Sequence, residues 1–135
     1  MISLDTNTVI DLMRRDRGPL RLRYRNALTS GVPVAISSIV LFELHFGIAR
    51  SARRQDNTVQ LDAFLAGPVM KLAFEPEDAV VAGEVRNSLQ AAGTLMGPYD
   101  VLIAGQALRR DAILVTANVR EFKRVPGLKI ENWKT

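Results

Sequence analysis

The order of strand-like and helix-like segments predicts an α/β protein with a mostly parallel central sheet covered by helices on both faces. Three observations carry that expectation. Short apolar runs recur at Met1 to Leu4, Val34 to Ile36, Val69 to Phe74 and Ile113 to Thr116. Longer segments with helical spacing separate them, and glycine, proline and serine mark the junctions. A chain of 135 residues suits one domain spanning 1–135 with a core of its own.

Element by element, Met1 to Leu4 reads as a short central strand. Val9, Ile10, Leu12 and Met13 follow at helical spacing until Gly18-Pro19 interrupts them. A second helix is expected from about Leu20 to Thr29, stopped at Ser30-Gly31. After the Val34 strand, Ser37 or Ser38 can cap a helix that carries Ile39, Leu41, Phe42, Leu44 and Phe46 towards Arg50. The polar stretch from Ser51 to Gln60 reads as a turn, followed by a short helix over about Val59 to Leu65 that ends at Gly67-Pro68. Pro76 opens a long helix ending near Ala92-Gly93, and Pro98 opens another that runs to about Arg110. Leu128-Lys129-Ile130 is expected to be a fifth, edge strand, with Trp133 anchoring the tail. Met70, Met96 and the phenylalanines read as core. No repeat, low-complexity segment or linker is evident.

Composition narrows the function classes. The chain is 47% apolar and 24% charged, with no apolar run of membrane-spanning length and no cationic and apolar leader, so a soluble cytoplasmic protein is expected. It has no cysteine, which excludes disulfides and thiolate metal sites. Against 14 acids stand 18 Lys and Arg, clustered at Arg14, Arg15, Arg17, Arg21, Arg23 and Arg25, at Arg50, Arg53 and Arg54, and at Arg120, Lys123 and Arg124. Each cluster could be an ordinary solvated face. Together with an acidic pocket they suit a polyanion such as nucleic acid.

The acids supply the chemistry. Asp5 directly follows the first strand, Glu43 lies among Leu41, Phe42, Leu44 and Phe46, and Asp100 lies in the first turn after Pro98. Glu121 follows the fourth strand. Strand ends and helix starts of this kind all meet the carboxyl edge of a parallel sheet, where ligands bind. Carboxylates gathered without matching bases repel one another, and a hard divalent cation bound through oxygen resolves the conflict. Each acid also has a plainer reading: Asp5 as a helix cap, Asp100 as a first-turn charge, Glu121 as a surface residue in a basic turn. His45, the only histidine, reads as a surface or packing residue. No zinc set of the usual composition, P-loop, GxGxxG or GxSxG is present.

Four segments carry a resemblance: Leu4-Asp5-Thr6-Asn7; Ile36 to Leu44 followed by Gly47; Gly97-Pro98-Tyr99-Asp100-Val101-Leu102-Ile103-Ala104; and Leu114 to Phe122, with Arg124-Val125-Pro126-Gly127-Leu128 beyond. In that order, over nearly the whole chain, they resemble PIN-domain proteins of the VapC toxin group of bacterial toxin–antitoxin systems. The resemblance implies a three-layer α/β/α sandwich and a Mg²⁺- or Mn²⁺-dependent endoribonuclease. Asp5, Glu43 and Asp100 would hold the metal, with Glu121 the fourth acid. Many members carry an aspartate where this chain has Asn118, so Asn118 and Glu121 are alternatives for the fourth position. Thr116 would hold an acid or a water through its hydroxyl, and Asn7 would support Asp5.

The resemblance further implies a VapB-type antitoxin that inserts a basic or bulky side chain among the acids, operator DNA bound only through that antitoxin, a homodimer contacted through the segment from Leu41 to Leu65, and a toxin–antitoxin hetero-oligomer. Its close subgroup points to initiator transfer RNA cut in the anticodon region, and so to inhibition of translation. The alternative is a non-catalytic PIN-type nucleic-acid-binding module working with an antitoxin-like partner. Receiver and haloacid-phosphatase sites are a poor match, since Asp5-Thr6-Asn7 fits neither pattern.

Overall fold

The structure is a computed structural model that describes residues 1–14 and 18–135. Arg15 and Arg17 of the first basic cluster lie outside the described residues. In chain order the elements are β1 (Ile2–Leu4), α1 (Thr6–Met13), α2 (Pro19–Thr29), β2 (Val34–Ser37), α3 (Ser38–Ala49), α4 (Arg54–Leu65), β3 (Met70–Leu72), α5 (Pro76–Ala91), α6 (Pro98–Arg109), β4 (Ile113–Val115), α7 (Val119–Phe122) and β5 (Lys129–Glu131).

All five strands are parallel, in the order β3-β2-β1-β4-β5. The sheet is therefore entirely, rather than mostly, parallel. β1 pairs with β2 through Ile2 and Val34 and with β4 through Leu4 and Val115. The chain winds outward from β1 to β3, then crosses back to β4 on the far side. Right-handed crossovers put α1 to α4 on one face and α5 and α6 on the other. Consistent with this, α1, α3 and α4 pack together, while α5 packs along α6.

The three inner strands are buried throughout apart from the start of β4, because helices cover both of their faces. Leu4, Val9, Ile36, Val40, Ile103 and Leu114 form the centre of the core. The edge strand β3 is different: Met70 is 47% exposed, so it is not the core residue that its type suggests. Phe42 and Phe46 are likewise exposed, whereas Phe122 is buried. Trp133 is buried and donates its indole N–H to Glu131 at 2.8 Å, which anchors the tail as expected.

The segment read as a turn up to Gln60 is mostly helix. Ser51 Oγ accepts hydrogen bonds from the Arg53 N–H at 3.0 Å and the Asn57 amide at 2.8 Å, and α4 begins at Arg54. Only Leu61 of this helix is buried, so the apolar period that announces a helix is missing from its sequence.

A buried ionic knot fixes α5 to α6. Asp78 is wholly buried and accepts hydrogen bonds from the Glu75 N–H (2.8 Å), Gln106 (3.0 Å) and Arg109 (3.0 Å), with Arg110 at 3.4 Å. Burial alone would raise its pKa; the Glu75 N–H and these side chains more than offset that and hold the carboxyl below its ordinary value. Nearby, Gly105 lets the two helices touch, since a Cβ there would stand 2.5 Å from Ala82 Cα. Gly105→Ala should therefore cost about 2–3 kcal/mol and lower the melting temperature by roughly 5–10 °C in a thermal melt. An unchanged melt would show that the helices can part at no cost.

Candidate active site at the carboxyl edge of the sheet

β1 and β4 are neighbours from which the chain departs in opposite directions, and the crevice at their carboxyl ends is the switch point of the sheet. The Val115 carbonyl, at the end of β4, accepts from the Asp5 N–H at 3.1 Å and from the Thr8 hydroxyl at 3.1 Å. These bonds seat the start of α1 on β4. Asp5 itself is buried, 6% exposed, and its carboxylate accepts the Thr8 N–H at 2.8 Å as the N-cap of α1. The capping role and the place in the acidic cluster thus belong to the same side chain.

Glu43 reaches the same crevice from the second turn of α3. It is half-buried rather than sealed, because Phe42 and Phe46 on either side point outward. The Thr6 hydroxyl donates to Glu43 Oε1 at 2.6 Å, a bond between α1 and α3 across 37 residues of sequence. In the sequence Thr6 is marked as a site residue only by its position next to Asp5.

Asp100 stands in the first turn of α6, after Gly97 and Pro98. Its carboxyl is pushed up to about 6, first by burial and then by the charges of Glu121, Glu43 and Asp5. Among the described residues no hydrogen-bond donor reaches it. Glu121, on the short helix α7, is half-buried rather than a free surface charge. Its carboxylate accepts from the Asn118 amide at 2.6 Å and from the Gly97 N–H at 3.3 Å, which joins α7 to the start of α6. The Asn118 amide is thus turned towards Glu121, whose charge is the largest of the three that act on Asp100.

Thr116 is fully buried, and its hydroxyl accepts the Asn118 N–H at 3.0 Å, which shapes the turn into α7. Asn7 is exposed, and no described hydrogen bond joins it to Asp5. His45 is exposed on α3 and is not a member of this group.

Two grooves open beside the acids, and Glu43 lines both. One, of about 230 Å³, runs past Ile10, Met13, Arg14 and Gly47 between α1, α3 and α4. The other, of about 340 Å³, is bordered by Thr6, Phe42, Phe46, Arg50 and Tyr99. Arg120, Lys123 and Arg124 are exposed on and just beyond α7, close in sequence to Glu121.

Comparison with known proteins decides the family. The PIN domain profile matches residues 2–128. The chain belongs to the PIN-domain family. Within it the relatives are VapC ribonucleases. The chain is 38% identical over 130 residues, 96% of each chain, to the tRNA(fMet)-specific endonuclease VapC of Salmonella typhimurium. It is 42% identical over 100 residues, 74% of each chain, to ribonuclease VapC2 of Rickettsia felis. The crystal structure of VapBC2 from Rickettsia felis, bound to a DNA fragment of the promoter, superposes with a TM-score of 0.92 at 35% identity, covering 98% of this chain and 99% of that one. The expected PIN architecture, read from four short motifs, is the one observed. No helix among the described residues is long and apolar enough to cross a membrane.

The raised Asp100 pKa has a consequence for stability. A carboxyl that binds its proton more tightly in the folded than in the unfolded chain costs stability when ionised, above pH 6. The cost fades as pH falls through 6 and is gone below 3.8, where both states are protonated. In metal-free protein, Asp100→Asn should stabilise the fold at pH 7.5 by about 1 kcal/mol after allowance for solvent screening, and raise the melting temperature by about 3 °C. That gain should vanish below pH 4. A gain that persists at low pH would mean that charge is not its cause.

Proposed function

We propose that the protein is a divalent-metal-dependent endoribonuclease, the toxin of a VapBC-type toxin–antitoxin module. The observation that carries this reading is the gathering of Asp5, Glu43, Asp100 and Glu121 at one sheet edge, close enough for the other three to raise the proton affinity of Asp100. The relatives named as tRNA(fMet)-specific endonuclease and ribonucleases supply the substrate class, with initiator transfer RNA the favoured target.

The donor set fits a hard cation, since it consists of carboxylate oxygens without a matching base. Among the described residues no three acids already converge on one point. Mg²⁺ does not require that, because it takes one or two carboxylates and keeps several of its waters. Asp5, Glu43 and Asp100 are the assigned metal ligands, and Mg²⁺ or Mn²⁺ is the assigned ion. When bound, the ion activates water and neutralises charge on the phosphodiester. The protein does the positioning. The Thr8 N–H fixes the Asp5 carboxylate, the Thr6 hydroxyl fixes Glu43, and the Asn118 amide with the Gly97 N–H fixes Glu121. Thr116 supports the turn that carries Asn118.

The solved VapBC complexes support a VapB-type antitoxin as partner, with promoter DNA reached through the assembled complex. An arginine of the antitoxin would find bidentate carboxylate partners here. A homodimer, in the cytoplasm, completes the proposal.

Purified, partner-free protein should cut total bacterial RNA into discrete fragments in Mg²⁺ and not in EDTA. The informative variant is Asp5→Asn, which keeps a helix cap, rather than Asp5→Ala, whose lost cap would itself cost about 1 kcal/mol. It should abolish cleavage without lowering the melting temperature. RNA binding without cleavage by folded wild type in Mg²⁺ would transfer support to the non-catalytic binding module. At limiting Mg²⁺ the rate should also decline as pH falls below about 6, because protons compete with the ion for Asp100.

Thr6 tests the positioning of Glu43. Thr6→Val should lower kcat by about tenfold, while Thr6→Ser, which retains the donor, should not. Equal rates for the two variants would remove Thr6 from the site.

A further inference from the structure

The wider groove has a feature that metal chemistry does not use. Phe42 and Tyr99 each immediately precede a site acid, Glu43 and Asp100. Their rings meet across the gap between α3 and α6, with centroids 5.2 Å apart and planes tilted by 55°, yet Phe42 is 49% and Tyr99 44% exposed. One turn further along α3, Phe46 is 56% exposed, and the Arg50 guanidinium lies over its ring at 5.3 Å. Three large aromatic side chains therefore face solvent around a groove of about 340 Å³ that also contains Glu43 and Arg50.

We propose that Phe42 and Tyr99 form a stacking platform for an unpaired base of the RNA substrate, next to the phosphate that is cut, with Phe46 and Arg50 extending the track to the neighbouring nucleotide. The inference rests on the ribonuclease reading and deepens it. The shared groove makes the argument specific. Because Glu43 and both rings border the same groove, a phosphate held at the acids places its own base within reach of the rings. Single-stranded RNA is recognised in this way, through bases splayed onto aromatic faces with arginine alongside. The charge pattern favours a nucleotide over a protein partner, since the cores of protein interfaces are depleted in charge, whereas this groove has a glutamate and an arginine in its walls. A permanent protein cover would also seal Glu43, which has to meet substrate.

The test uses the full chain carrying Asp5→Asn, in Mg²⁺, and single-stranded oligoribonucleotides matching a cleavage site mapped in total RNA. 2-Aminopurine replaces one base at a time. Binding should change the fluorescence at one position flanking the mapped bond. In the same background, Phe42→Ala with Tyr99→Ala should erase that change and weaken binding about tenfold. Phe42→Trp and Tyr99→Phe should preserve both. In the otherwise wild-type chain the double alanine variant should raise KM, and an oligonucleotide lacking that base should be cut equally by variant and wild type. Unchanged fluorescence and KM in the alanine variants, with wild-type cleavage intact, would overturn the platform alone. So would a change of oligomeric state in light scattering with RNA affinity unchanged, which would assign the rings to a protein contact. Failure of the wild type to cut any RNA in Mg²⁺ would overturn the ribonuclease reading, and the platform with it.

Discussion

Repulsion among like charges is the constraint around which this molecule is organised. Four carboxylates lie towards the carboxyl ends of β1 and β4, close enough for three of them to act on Asp100, and the fold must hold them there. Three are tethered by hydrogen bonds: Asp5 by a helix N-terminus, Glu43 by a threonine from another helix, and Glu121 by an amide and a backbone N–H. Asp100 takes the remaining strain, as a carboxyl pushed up to about 6 by its burial first and then by its neighbours' charges. Stability given up at a site so that it stays ready for a ligand is a familiar exchange, and the tethers fix the geometry in advance of the ion.

The scaffold opposes that repulsion with two rigid attachments. At the site edge, the Val115 carbonyl receives both the Asp5 N–H and the Thr8 hydroxyl, so α1 cannot tilt without breaking two bonds to the central sheet. On the other side of the sheet, the buried Asp78 with Arg109, Arg110 and Gln106 joins α5 to α6, the helix that carries Asp100. The contrast between the two buried aspartates is instructive. Asp78 is surrounded by cations and donors and is held ionised, a structural role. Asp5 has one backbone donor and acidic neighbours, which leaves its charge available to a ligand.

Asn118 shows how a departure from the usual family pattern is accommodated. An aspartate there would add another negative charge to the cluster. The asparagine instead donates its amide to Glu121, one short-helix turn away, and turns a repulsive neighbour into a positioning one.

Much of this was legible in the sequence, because it depends on local patterns. Alternating apolar runs and helical segments imply a parallel sheet, an acid directly after a strand or in a first helical turn lies at the ligand-binding edge, and four ordered motifs mark the PIN family. Where local pattern failed, the cause was tertiary. The first part of α4, before Val59, was hidden because it puts no buried apolar residue against the core, and Met70 lost its place in the core because β3 is an edge strand. Phe42 and Phe46 read as core by type, yet they border an open groove. The Thr6–Glu43 bond and the Phe42–Tyr99 contact join residues 37 and 57 positions apart, distances that no periodicity encodes. The sequence by itself determined which groups could do chemistry and at which edge they would lie. Only the tertiary structure decided which of them touch, because contact between distant side chains depends on how helices dock, and docking is set by the whole core at once.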